Sequence, residues 1–382
     1  MTSQTLRVAV DGRVMHDRYH GIGRHTFELV RRLADRSLDL VVIRDPTPTS
    51  RLDVDGLAAH PSVRLVDLPV PVVSAAAQRR WPALLTSVRP HVLLIPYHLA
   101  TPLWHPGVPT VAFVHDCIFE KDPRFCPGGR RFQVLYRAAT RLSLSRTTAI
   151  ATVSQATRQD LRAAYHVALP DSAVIPHGVG EQFRTLGTPK RHPSSPPYVL
   201  HVGVHRPHKN LGMLVRAFAQ VAREVPRARL VLVGDDDPRF PARLSGLAHT
   251  LGIGDRVDVR RGIAEAALLE LYRGASAFAF PSVVEGFGLP VLEAMAAGLP
   301  VVTSDAPAVV EAAGGASLVV PSGDPQVWAA ALVRALTDAR VTADLVPRGR
   351  RVAAESTWDR AADRTLALLE SVCWRDGASR SS

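Results

Sequence analysis

Short apolar runs bounded by turn residues recur along the chain, at 8–10, 40–43, 63–66, 92–95, 111–114, 149–153 and 173–175. After a break they resume at 199–202, 230–233, 257–259, 277–280, 301–303 and 318–320. The runs are continuous and rich in β-branched residues, as in strands buried on both faces, where alternating residues would mark half-buried ones. Between many of them apolar positions recur at helical spacing, as at 24–34, 130–143 and 211–224. This alternation predicts an α/β protein of parallel sheets and crossover helices, in two successive sets.

The break at 184–197 holds Pro193, Pro196 and Pro197 beside Ser194 and Ser195. No core can be built from it, so it reads as a linker between two Rossmann-like domains. The expected division is a first, acceptor-side domain at 1–183, the linker, a nucleotide-binding domain at 198–356, and a last helix at 357–375 crossing back to the first domain. A chain of 382 residues is too long for one core, which agrees with two domains. In open α/β sheets ligands bind beyond the carboxyl ends of the strands, so two such domains facing each other would enclose a cleft.

Chemistry concentrates at 282–293, Ser-Val-Val-Glu-Gly-Phe-Gly-Leu-Pro-Val-Leu-Glu. An apolar strand leads into Pro281, a polar turn and Glu285; Gly286, Phe287, Gly288 and Leu289 follow, then a helix with Pro290 expected at its first position. The glycines let backbone approach a ligand closely. The helix start offers unbonded N–H groups and about half a positive charge, suited to a diphosphate. Glu293 is expected in that first turn and Glu285 just outside it, so one carboxylate can face a ribose and the other whatever the diphosphate carries. The same residues also suit a Gly-Pro turn capping an ordinary buried helix.

Arg206 and Lys209 lie in the segment 205–210, His-Arg-Pro-His-Lys-Asn, after the run at 199–202. A forked guanidinium and a point-charge ammonium at that spacing can converge on one anion. Two solvated charges at a helix start would read the same. Only Lys121, Lys190 and Lys209 of 46 basic residues are lysines, so something local requires lysine at 209. Gly21-Ile22-Gly23, expected in a loop between the first strand and first helix, is not a dinucleotide fingerprint, because Thr26 stands at the third glycine position. His115-Asp116 closes the run at 111–114 and suits either a hydrogen-bonded core residue or a ligand group. Asp235-Asp236-Asp237 ends another run and reads as a turn, with no metal site expected.

Glu-Gly-Phe-Gly-Leu-Pro-x-x-Glu resembles the paired-glutamate signature of retaining glycosyltransferases of family four. These have the GT-B fold, two Rossmann-like domains with parallel sheets facing across a cleft. The resemblance extends over nearly the whole chain. It implies that Glu285 contacts the donor sugar near its anomeric end, that Glu293 binds the nucleotide ribose, and that Arg206 and Lys209 hold the donor diphosphate. It implies further that His115 meets donor-sugar hydroxyls, with Asp116 as orienting neighbour, and that Gly262 and Ile263 lie by the nucleobase through backbone groups. The segment Asp-Gly-Arg…Gly-Ile-Gly-Arg-His-Thr is similar to the opening of bacterial mannosyltransferases of this family, where the glycine loop, here Gly21 and Gly23, closes over the donor phosphate. The implied activity is retaining, front-face transfer of a hexose, with mannose and GDP-mannose favoured, to a saccharide, lipid-linked or small-molecule acceptor, without cofactor or metal. One departure is His177-Gly-Val-Gly180, where the family often has Asn-Gly-Val-Asp. The alternatives are a noncatalytic nucleotide-sugar-binding protein, a sugar-nucleotide epimerase, or a phosphorylase, which would need a pyridoxal-binding lysine.

Composition narrows the partners. The formal charge of +11 attracts phosphates in general, but the arginines are scattered and match no nucleic-acid module, so no nucleic-acid partner is expected. Three cysteines without metal-type spacing, no signal-peptide pattern and no long apolar run lead to the expectation of a cytoplasmic protein. Residues 128–145 place Arg130, Arg131, Arg137 and Arg141 beside Phe132, Leu135, Tyr136, Ala139 and Leu142 on one helix. The leading expectation is a crossover helix whose apolar stripe, Phe132 and Leu135 included, covers the first sheet. Weak peripheral association with an anionic membrane is the alternative.

Overall fold

The computed structural model describes residues 5–16, 20–48, 52–104, 107–187, 195–240 and 243–379. The chain forms two compact units, one of Met1–Cys117, Gln133–His177 and Trp358–Ser382, the other of Ile118–Phe132 and Gly178–Thr357. The compact units therefore divide differently from the expected 1–183 domain, since Ile118–Phe132 and the residues after His177 cluster with the second unit. In that segment the Phe125 ring lies 6.0 Å from the His208 ring, an apolar contact within the second unit. Residues 188–194 of the expected linker lie outside the described residues.

The first unit is built on a six-stranded sheet of order β3-β2-β1-β4-β5-β6. Its strands are β1 Leu6–Asp11, β2 Leu38–Arg44, β3 Val63–Asp67, β4 Val92–Ile95, β5 Thr110–Val114 and β6 Ala149–Thr152. Every pairing is parallel, with Val8 opposite Leu40 on one side and Val92 on the other. Val8, Ala9 and Val10 are fully buried, as the uninterrupted apolar run requires. The run at 173–175 forms no strand: Val174 makes a single bridge to Thr152 after a one-turn helix, Asp171–Ala173. The closing helix, Trp358–Ser379, belongs to this unit, where Arg36 bonds Asp363 at 2.7 Å and Arg364 donates to the Val174 carbonyl at 3.0 Å.

The second unit repeats the design, in the order β12-β11-β10-β7-β8-β9. The strands are β7 Tyr198–Val202, β8 Arg229–Val233, β9 Val257–Arg260, β10 Ala277–Phe280, β11 Val301–Ser304 and β12 Leu318–Val320. Its core gathers Leu214, Phe218, Val221 and Trp328 from two covering helices against Val199, Leu230 and Ala279 of the sheet. Chain order reverses between the neighbours β7 and β10, so the loops after these two strands flank the switch point where such sheets bind ligands.

Two helices depart from expectation in ways that bear on function. The first helix runs His20–Ala34, so Gly21 and Gly23 sit in its first turn, not in a preceding loop. A Cβ at Gly23 would fall 2.6 Å from the Val14 carbonyl oxygen, which explains why the helix needs glycine to start there. On the helix Gly129–Leu144 the buried residues are Gln133, Tyr136, Thr140, Ser143 and Leu144, while Leu135 is 71% exposed. The expected use of Leu135 to cover the sheet is thus wrong: a more polar stripe faces inward.

Candidate active site

In the second unit, Lys209 and Glu285 come from the two loops beyond the carboxyl ends of β7 and β10. Lys209 closes a one-turn helix, Pro207–Lys209, and Asn210 turns the chain in the left-handed region (φ 55°), pinned by its Nδ2 donating to the Ser322 carbonyl at 2.7 Å. The Val283 amide donates to the His208 carbonyl at 2.8 Å and stitches the two loops together. Lys209 Nζ then lies 2.6 Å from Glu285 Oε1 and 5.1 Å above the Phe280 ring. Burial, the largest single effect, would push the Glu285 carboxyl up; the Lys209 ammonium, with His208 and Ser282 adding to it, more than offsets burial and holds the group below its ordinary value. An ionised carboxylate and an ammonium are thereby kept side by side with little exposure.

Arg206 is held by Asp237, which accepts from its Nε at 2.9 Å and from Arg239 Nε and Nη2 at 2.8 and 2.7 Å. The Arg239 bonds, against the opposing effect of burial, hold the Asp237 carboxyl well below the usual carboxylate range. Asp236 accepts from His205 Nδ1 and Arg261 Nε, each at 2.8 Å. Asp235 Oδ1 accepts the Gly262 amide at 2.8 Å, fixing a residue at φ 59° beside Ile263. All three aspartates therefore brace the basic loops around the switch point. This bracing scheme was not legible in the run of acids. Close backbone packing supports it: Gly234 adopts φ 152°, and a Cβ there would lie 1.9 Å from the Gly203 oxygen.

The helix after the Gly286-Phe287-Gly288 step runs Leu289–Ala296, which puts Pro290 at its second residue and Glu293 beyond its first turn. Gly288 caps it at φ 125°. Pro290 has no N–H and the Val291 amide turns back to the Gly288 carbonyl at 2.9 Å. The amides of Gly288 and Leu289 are left without a backbone acceptor among the described residues, at the start of the helix. Glu293 is buried, and its Oε2 accepts from the Tyr272 hydroxyl at 3.0 Å.

In the first unit, His115 stands just past the end of β5, and its Nε2 donates to the Pro96 carbonyl at 2.8 Å. That bond leaves Nδ1 as the ring's acceptor. Burial pushes the ring down to about 4 against the opposing Pro96 bond, so it is neutral at physiological pH. Sequence reasoning missed its neighbours. The His25 ring centroid lies 4.8 Å from those of both His115 and His177, and His177 stacks on Trp358 at 5.7 Å. His25 is fully buried, with neither ring nitrogen hydrogen-bonded among the described residues. His177 thus occupies the departure from Asn-Gly-Val-Asp as a packed ring. A second missed feature is Asp11, which clasps Arg13 through two bonds of 2.7 Å, both side chains buried, with Arg13 5.1 Å over Trp81. These two residues of the Asp-Gly-Arg segment brace each other next to the first helix.

Two family models match, one on each half of the chain. "Glycosyltransferase Family 4" covers residues 19–183 and "Glycosyl transferases group 1" covers 184–352. The chain is 33% identical over 205 residues to a D-inositol 3-phosphate glycosyltransferase of Kineococcus radiotolerans, covering 49% of this chain and 47% of that protein. It is 33% identical over 234 residues to an MMP alpha-(1->4)-mannosyltransferase of Mycolicibacterium hassiacum, covering 59% and 55%. These matches span about half the length of the relatives. The solved structure of Anabaena Alr3699/HepE in complex with UDP and glucose superposes with a TM-score of 0.71 over 96% of this chain and all of that one, at 19% identity, a likeness of fold. With both family models in sequence order, two parallel six-stranded sheets and the paired glutamates in place, the chain belongs to the family-four glycosyltransferases of the GT-B fold.

Proposed function

We propose that the protein moves a hexose, mannose in our reading, from a nucleoside-diphosphate sugar to an acceptor hydroxyl with retention at the anomeric carbon and without a metal. One observation carries the reading: the Lys209–Glu285 pair, with Arg206 braced nearby, sits beyond β7 and β10 at the switch point. As the bond from anomeric carbon to diphosphate breaks, negative charge grows on the leaving oxygens and positive charge on the carbon. Lys209, Arg206 and the amides of Gly288 and Leu289 are suited to the first, and the Glu285 carboxylate to the second. Preorganised donors of this kind contribute about 2.7–4 kcal/mol each to the transition state. The acceptor oxygen attacks from the side the diphosphate leaves, and the departing phosphate oxygen takes the acceptor's proton, so atoms and charge balance without a protein nucleophile.

Metal independence is supported by the aspartates at 235–237, each of which already serves an N–H or cationic donor. Mannose is supported by the mannosyltransferase among the relatives and by the opening segment, and GDP is the matching carrier. His115, with an acceptor nitrogen, suits sugar hydroxyls, and Glu293 suits a ribose. The acceptor is a saccharide, lipid-linked or small-molecule hydroxyl, and the setting is cytoplasmic.

A thermal-shift and hydrolysis screen over GDP-, UDP- and dTDP-sugars tests the reading. GDP-mannose is expected to raise the melting temperature by mass action, turnover to survive EDTA, and Lys209→Ala to lower kcat by about 10²–10³. No shift with any nucleotide sugar at millimolar concentration would overturn the reading. A shift confined to UDP-sugars would overturn only mannose, and loss of activity in EDTA only metal independence.

A further inference from the structure

On the helix Gly129–Leu144, three of the large apolar residues that the first unit leaves in solvent stand together, whereas Val73 and Trp104 are exposed elsewhere. Val134 is 61% exposed, Leu135 71% and Leu142 44%, with Ala138 and Ala139 exposed between them. On a repeat of 3.6 residues, 134, 138 and 142 stack along one line and 135 and 139 along the next, so these five make one continuous stripe. Its opposite side is already spent, because Gln133, Tyr136, Thr140, Ser143 and Leu144 pack inward. Arg137 and Arg141 border the stripe and Arg146 stands just past its end, all exposed. No acidic residue occurs between Asp122 and Asp160, and none of these three arginines has an ion-pair partner among the described residues. Arg141 rests over the Tyr165 ring at 5.9 Å, which holds its charge at the border.

We propose that this face docks on an anionic lipid surface, with Val134, Leu135 and Leu142 entering the headgroup–acyl boundary and Arg137, Arg141 and Arg146 meeting lipid phosphates. Charge complementarity selects this occupant. A second copy presenting the same face would bring two sets of arginines together with no acid to offset them. A neutral apolar partner would leave the unpaired arginines desolvated at the rim. Interfacial helices are recognised by this combination, an apolar face immersed to shallow depth with cations at its edge. Among the described residues no helix is long and apolar enough to cross a membrane. The inference does not rest on the sugar or the acceptor proposed above.

Co-sedimentation with phosphatidylglycerol vesicles and with phosphatidylcholine vesicles, at about 50 mM and about 500 mM salt, tests it without donor or acceptor. The expected result is binding to phosphatidylglycerol at low salt, at least ~10-fold weaker binding to phosphatidylcholine, and loss at high salt. The double variants Val134→Asn/Leu135→Gln and Arg137→Gln/Arg146→Gln alter exposed side chains only, and each should cut binding about 10-fold while the donor-induced thermal shift stays as in the parent. Absence of binding to phosphatidylglycerol at low salt overturns the proposal. So does equal binding to both lipids, or binding that the Val134/Leu135 variant leaves unchanged. A concentration-dependent dimer that the same variant abolishes would assign the face to a second copy instead. An unchanged vesicle result with no donor shift would sink the reaction and leave the docking face standing.

Discussion

Breaking the Lys209–Glu285 pair tests whether the site is a coupled unit or two unrelated charges. At 2.6 Å and an effective dielectric of about 20, the attraction is about 6 kcal/mol before desolvation is counted. The side chains are only 14% and 10% exposed, so removing one partner strands the other in a poorly solvated place. Such losses run at about 3–5 kcal/mol, and we expect Lys209→Met to lie near 3 because a little solvent reaches the pair. Glu285→Gln should cost somewhat less, and the double variant should recover about 2 kcal/mol relative to the sum of the singles. For a unit of this size each kcal/mol corresponds to about 2–4 °C of melting temperature. The assay is urea unfolding of all four proteins, followed through tryptophan emission, with buried Trp328 reporting on the second unit. The pH dependence gives a second check. In the parent the Glu285 carboxyl is depressed, so the pair's contribution is present above the ordinary carboxyl range and lost as pH falls through the folded value. In Lys209→Met both Lys209 contributions are gone and burial is opposed only by His208 and Ser282, so the group rises relative to the parent and the deficit of that variant should shrink on acidification. Additivity of the two substitutions within ~0.5 kcal/mol would refute the coupling.

Two further outcomes follow from packing alone. His25, His98, His115 and His177 are buried in the first unit and held below their ordinary value by burial first, with neighbouring rings adding to it for His25, His98 and His177. The unfolded chain therefore binds protons first, and stability should fall from about pH 6.5 towards pH 4 at up to ~1.4 kcal/mol per pH unit per histidine. Denaturant midpoints that stay level between pH 7 and pH 5 would contradict this. Gly234→Ala places a Cβ against the Gly203 carbonyl at a φ that side chains rarely adopt. It should cost more than ~2 kcal/mol in the second unit, and a melting temperature within 2 °C of the parent would contradict that close approach.

The sequence by itself determined the elements and the kinds of group at the site. Continuous β-branched runs point to buried strands, and twelve of the thirteen runs are strands, with β3, β9 and β12 only partly covered and the exception at 173–175 having one bridging residue. The glycine-proline start of the helix Leu289–Ala296 and the lysine at 209, one of three in the chain, are likewise local signals, written in residue type and spacing. Which residues meet was decided by the tertiary structure. Glu285 finds Lys209 from 76 positions away because β7 and β10 are neighbours across the point where chain order reverses, and nothing in either loop encodes that adjacency. The aspartates at 235–237 became braces, and His25, His115, His177 and Trp358 became one cluster, only when four distant segments converged. The helix at 129–144 states the limit most plainly. A period of 3.6 fixes which side chains share a face, but which face turns inward depends on the packing space beneath it, and there Gln133, Thr140 and Ser143 were buried while Leu135 stayed in solvent.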